Sequence, residues 1–133
     1  MGCLFAARLA RCGHEVGLLD HNPDRARQIS ASGMVLEDNG AIHTGPIRAD
    51  TNPAAFGAPD FLCLCVKSFD TAAAIRHALP LVSPACLVVS IQNGLGNAEE
   101  IARCVDRRRI LCVATSQGST SLGPGHVRHA GSG

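Results

Sequence analysis

Gln92 and Asn93 stand where an apolar run, Leu87-Val88-Val89-Ser90-Ile91, stops abruptly at polar and glycine residues. The run is rich in β-branched and aliphatic side chains with no clean polar alternation, the pattern of a parallel strand covered on both faces. An asparagine amide offers both a donor and an acceptor, and open α/β sheets bind their ligands at the carboxyl ends of such strands. Gly94 and Gly96 permit a tight turn, and Asn97 followed by Glu99 and Glu100 reads as the capped, acidic first turn of a helix. Lys67 and Ser68 end a second apolar run over 61–66, and a lysine there can pair with a carboxylate or phosphate and stabilise developing negative charge. Asp20 ends a third, shorter run over 16–19. Taken singly, Lys67 fits a solvated loop, Asn93 a turn former and Asp20 a solvated turn residue better than a functional role, by about two to one in each case.

The elements that must hold these residues can be read in order. Residues 2–12 carry Leu4, Phe5 and Leu9 on one side and Arg8 and Arg11 on the other, a helical spacing, with Gly13 as its stop. A short buried strand follows and ends at Asp20. Asn22-Pro23-Asp24 then supplies an N-cap, a first-turn proline and an acidic first turn for a helix running to about Ser32, with Gly33 as its stop. Asp38-Asn39-Gly40 between extended segments predicts a peripheral hairpin. Residues 50–59 read as a loop or irregular helix, 61–66 as a central strand, and Asp70 or Thr71 as the cap of the next helix. Pro80 and Pro84 bracket the turn into the strand at 87–91; a helix over 97–105 and a strand over 110–114 follow. Residues 116–125 read as a glycine- and hydroxyl-rich loop, and 126–129 as an edge strand. Strands alternating with helices at these intervals imply right-handed crossovers and a doubly wound parallel sheet, an α/β fold of Rossmann type.

Composition narrows the function. The 133 residues carry a net charge of +1, and neither Trp nor Tyr is present, so neither an electrostatic nor a stacking case exists for nucleic acid or an anionic membrane surface. The 46% apolar content fits a globular domain, and no apolar run approaches the roughly 18 residues needed to span a bilayer. The expected setting is cytoplasmic. Seven cysteines without a Cys-x-x-Cys spacing read as reduced, buried thiols, and no metal site is expected. His126 and His129 lie three apart on the expected strand and so point to opposite faces.

The helix at 2–12 followed by the strand to Asp20 is what comes after the glycine-rich turn of a dinucleotide-binding fold. Gly2 stands as that turn's third glycine and Asp20 near the position of the acidic residue that takes ribose hydroxyls. The whole chain resembles the amino-terminal domain of the ketopantoate reductase family. Residues 2–16 look like that family's first helix and second strand, Val66-Lys67-Ser68-Phe69-Asp70 like its Val-Lys-Ser segment, Ser90-Ile91-Gln92-Asn93-Gly94-Leu95-Gly96-Asn97 like its Gln-Asn-Gly-Leu-Gly stretch, and residues 122–131 like the segment closing the domain.

The resemblance implies a dinucleotide-binding domain over 1–133 and reduction of a 2-oxo acid by NADPH, with NADH an open alternative. It places Lys67 and Asn93 at the nicotinamide and substrate end. Gly2, Asp20, His21, Arg25, Val66, Gln92 and Gly94 join them as coenzyme-binding candidates, with His21, Arg25 and Arg27 the residues near Asp20 that could meet a 2′-phosphate. A homodimer is a candidate assembly. The family's first strand, its helical substrate domain and its principal catalytic lysine have no counterpart in these residues, and Ser116-Gln117-Gly118 replaces the more usual Thr-His-Gly. In a sheet ordered 3-2-1-4-5-6 the first strand is central, so the isolated chain is expected to be partly unfolded, aggregated, or closed around a substitute strand. The competing readings are a non-catalytic Rossmann remnant or interaction module and another two-domain, 3-hydroxyacid-type dehydrogenase.

Overall fold

The computed structural model describes residues 1–131. In chain order the elements are α1 (Gly2–Arg11), β1 (Gly17–Leu19), α2 (Pro23–Ser32), β2 (Met34–Asp38), β3 (Ala41–Gly45), β4 (Arg48–Asp50), β5 (Phe61–Leu64), α3 (Thr71–Ala78), β6 (Leu87–Ser90), α4 (Asn97–Ala102), β7 (Ile110–Cys112), β8 (Ser119–Gly123) and β9 (His126–His129), with short 3₁₀ turns between some of them. They form two compact units, one made of residues 1–52 together with the segment from 116 onward, the other of residues 53–115.

In the first unit the local signals hold. Asn22 accepts a hydrogen bond from the Arg25 N–H at 2.9 Å and caps α2, Pro23 opens the helix, and Gly33 ends it with φ +75. Asn39 and Gly40 both take positive φ, the signature of a tight type I′ hairpin turn between β2 and β3. Only one strand of the hairpin, the exposed edge strand β3, is peripheral. It belongs to a four-stranded sheet ordered β3-β2-β9-β8, in which β9 pairs parallel to β2 and antiparallel to β8. The stretch 126–129 is therefore an inner strand rather than an edge, and half of the expected loop over 116–125 is strand β8. A strand not foreseen, β4, pairs parallel with β1 through Gly17↔Arg48, Leu18↔Ala49 and Leu19↔Asp50.

Packing reassigns the faces of α1. Leu4, Ala6 and Ala7 are buried, whereas Leu9 is 40% exposed. At about 100° per residue Leu9 lies roughly 140° round from Leu4, outside the stripe that meets Ile29, Met34, Leu36 and Val127 in the core. Arg8 is not a solvated surface arginine. Its guanidinium bonds Asp38 Oδ2 at 3.1 Å and Gln117 Oε1 at 2.8 Å, and it lies 3.1 Å from His129 Nδ1, which in turn sits 2.9 Å from Asp38 Oδ1. His126 instead meets Glu37 at 2.9 Å, so the two histidines take neighbouring acids on opposite faces of β2, as their spacing requires.

The second unit is a parallel three-stranded sheet ordered β5-β6-β7, with α3 and α4 packed on it through Leu64, Ile75, Val88, Ile101 and Val105. Val88, Val89 and Ser90 are buried, as the apolar run implies, because β6 is the middle strand. The expected helix over 97–105 stops at Ala102. Gly96, not Asn97, is the N-cap of α4, with a left-handed φ of +85. All seven cysteines are free thiols, but only Cys86 is fully buried; Cys12, Cys63 and Cys112 are exposed, because they fall outside the faces their elements bury.

Candidate functional site

In the second unit the chemistry gathers at the carboxyl ends of β5 and β6, the end at which open parallel sheets bind their ligands. Lys67 follows β5 and Asn93 follows β6; both side chains are exposed, and no hydrogen bond or ion pair among the described residues holds either. Gly94, with φ +99, turns the chain directly after Asn93.

Gln92 differs from its two neighbours. Its amide nitrogen donates to the Val66 carbonyl at 3.0 Å and to Thr71 Oγ1 at 2.8 Å, and its oxygen accepts from Ser90 Oγ at 3.1 Å. The side chain thus faces inward and ties the segment that carries Lys67 to the segment that carries Asn93. Asn97, 6% exposed, turns back from the first turn of α4 and donates to the Asn93 carbonyl at 3.3 Å and the Gly94 carbonyl at 3.1 Å. Thr71 and Asn97 look in the sequence like helix-capping residues, and only their burial separates them from ordinary caps. Val66 takes part through its backbone carbonyl alone, a role with no sequence signal.

In the first unit, Asp20 lies just past β1, and its N–H bonds the carbonyl of Asp50 at the end of β4 at 3.0 Å. Arg25, one turn into α2, grips the Asp20 carboxylate with both arms of its fork, Nε to Oδ2 and Nη2 to Oδ1, each at 2.6 Å. The Asn22 N–H adds a third bond to Oδ1 at 2.8 Å. Burial pushes the Asp20 carboxyl up, but the bonds from Arg25 and the Asn22 N–H outweigh it and hold the group below its ordinary range. Arg25 is raised in turn, first by its hydrogen bond to Asp20. His21 is exposed, with Nδ1 3.8 Å from Asp20 Oδ1. Arg27, by contrast, pairs with Asp24.

Gly2 opens α1, whose first turn holds no acidic residue and no side-chain cap, so its positive end is uncompensated. Burial raises the thiol of neighbouring Cys3. A groove of about 600 Å³ in the same unit, bordered by Arg11, His14, His43 and Arg48, sits at the amino ends of β1 and β4; neither Asp20 nor Asp50 lines it.

A family model described as ketopantoate reductase PanE/ApbA matches residues 1–133. The chain belongs to the ketopantoate reductase family. A 2-dehydropantoate 2-reductase of Halobacterium salinarum is 34% identical over 134 residues, which take in 100% of this chain and 44% of that protein. The crystal structure of a PanE/ApbA family ketopantoate reductase from Ralstonia eutropha JMP134 superposes with a TM-score of 0.87 at 34% identity, covering 99% of this chain and 44% of that one. A D-mandelate dehydrogenase in complex with NADH superposes with a TM-score of 0.83 at 26% identity, covering 99% of this chain and 41% of that one. The chain thus spans less than half the length of the ketopantoate reductases it matches, and the Rossmann-type α/β fold read from its strand and helix pattern is that of these neighbours. No helix among the described residues is long and apolar enough to cross a membrane.

Proposed function

We propose that this chain is the coenzyme-binding part of a 2-dehydropantoate 2-reductase, a cytoplasmic enzyme of pantothenate biosynthesis that reduces a 2-oxo acid to a 2-hydroxy acid with NADPH. The observation that carries the reading is the pair of exposed, unheld side chains, Lys67 and Asn93, at the carboxyl ends of adjacent parallel strands in a chain that matches the reductase family along its whole length. When bound, the dihydronicotinamide supplies the hydride.

The residues present fit such a coenzyme. The uncompensated first turn of α1, opened by Gly2, suits a pyrophosphate. At the end of β1, Arg25, Asn22 and the carboxylate of Asp20 form a closed set in which three of about four acceptor positions on the carboxylate are taken. Asp20 therefore has little capacity left for a pair of ribose hydroxyls, while the outer edge of Arg25 and the exposed His21 suit a 2′-phosphate, which favours NADPH over NADH. Lys67 pairs with the substrate carboxylate or with the oxygen that gains negative charge, and the Asn93 amide orients the ketone by donating to it. Gly94 keeps the backbone beside Asn93 clear of side chains.

The test is to express the reductase with Lys67→Ala or Asn93→Ala and follow NADPH oxidation with ketopantoate. Removing one such donor costs about 2.7 to 4 kcal/mol of transition-state stabilisation, so each variant should lose roughly 10² to 10³ in turnover while circular dichroism shows an unchanged fold. Folded variants that reduce ketopantoate like the parent would refute the assignment.

A further inference from the structure

Thr71 is 1% exposed and lies at the start of α3, yet its hydroxyl serves more than that helix. Its Oγ1 lies 2.8 Å from the Ser68 carbonyl oxygen and 3.1 Å from Asn97 Oδ1, and it accepts the Gln92 amide at 2.8 Å. One hydroxyl proton faces two acceptors, one in the loop after β5 and the other in α4. Gln92 extends the set to the Val66 carbonyl, and Asn97 extends it to the carbonyls of Asn93 and Gly94. Lys67 is consequently held through the carbonyls on either side of it, and Asn93 through its own carbonyl and both its neighbours. Valine would fill the space of Thr71 with an apolar side chain at similar volume. Buried polar side chains are retained here instead, and a satisfied buried network of this kind rigidifies what it joins.

We propose that Thr71, with Gln92 and Asn97 as its partners, is a positioning residue that fixes the Lys67 loop and the Asn93 loop relative to each other, so that the two exposed side chains meet a ligand as a pair. It touches no ligand itself, and the proposal rests on the reading of Lys67 and Asn93 given above. A hydroxyl that only stabilised the first turn of α3 would bond Ser68 and stop there; the links to Gln92 and Asn97 are what give it a second loop to act on.

Thr71→Val removes the hydroxyl and keeps the shape, whereas Thr71→Ser keeps the hydroxyl and drops a methyl. Amide NMR of the reductase that carries this chain, with NADPH titrated in, reads both consequences. In the valine variant the signals of residues 66–68 and of residues 92–94 should move and broaden together, with NADPH affinity falling by roughly tenfold. The serine variant should restore both. Gln92→Met cuts the same link from the other side and should reproduce the two-loop pattern, so it decides the matter if the valine variant does not fold. A response confined to 68–75, or one that serine does not restore, would overturn the proposal, as would a two-loop response with unchanged NADPH affinity. A two-loop response restored by serine in a parent that takes up no coenzyme would leave the coupling standing and refute the proposed function instead.

Discussion

Replacing Arg25 by alanine should change which coenzyme the carboxyl end of β1 prefers. In the parent the guanidinium places Nε and Nη2 on the Asp20 carboxylate at 2.6 Å each, with the Asn22 N–H as a third donor at 2.8 Å. The Asp20 side chain is only 14% exposed and Arg25 42%, so the carboxylate is the covered partner and the arginine the outward one. Losing the arginine has two consequences of opposite sign. A hydrogen bond to a charged group is worth about 1.5 to 3 kcal/mol, so the 2′-phosphate of NADPH should lose roughly 10- to 100-fold in affinity. The released Asp20 regains the capacity to accept ribose hydroxyls, so NADH affinity should hold or rise. The fold itself should lose no more than about 1 kcal/mol, because the pair is partly solvated. Arg25→Lys keeps the charge without the fork and should fall between the parent and alanine. Fluorescence titration of parent and variants with both coenzymes measures the ratio directly. Equal losses for NADPH and NADH in Arg25→Ala would remove Arg25 from the phosphate site and leave its bond to Asp20 a purely structural one.

The same pair has a pH signature. The folded carboxyl of Asp20 is held below its ordinary 3.8, so the stability it contributes is present above that value and is lost as pH falls through the lower, folded one. Thermal melts of parent and Asp20→Asn should therefore differ by a constant amount from pH 7 to pH 5 and converge only in stronger acid; convergence near neutrality would contradict the bonded geometry. Two glycines give a matched test of backbone strain. Gly33 has φ 75 and ψ −165, and a Cβ there would stand 2.5 Å from the Gly45 carbonyl oxygen, whereas Gly13 has φ +86 with open space around it. Gly33→Ala should cost about 1 to 3 kcal/mol from the backbone conformation alone and more from the clash, while Gly13→Ala should cost about 1 to 2 kcal/mol. Equal melting shifts for the two would show that the clash carries no weight.

Signals that act over a few residues were legible in the sequence. The capping of α2 by Asn22, its proline start and its end at Gly33, the Asn39-Gly40 turn and the buried run of β6 all depend on neighbours within one or two turns, and each stands where its residue types put it. Lys67 and Asn93 were also legible as residues at strand ends, since an apolar run that stops marks the place. What the sequence could not decide is whatever a distant partner stabilises. Three residues, Arg48 to Asp50, make a strand only because β1, some thirty residues earlier, offers a parallel edge, and β9 is an inner strand because β2 and β8 close on both its sides. Arg8 reads as a solvated arginine until Asp38 and Gln117 arrive beside it. Gln92 belongs with Lys67 and Asn93 by position, but the direction of its amide was set by Val66 and Thr71, 26 and 21 residues away, and these turn it from a ligand-facing group into an internal tie. A side chain's type announces what it can bond; only the tertiary structure supplies the partner, because a buried donor must find an acceptor wherever the fold has placed one.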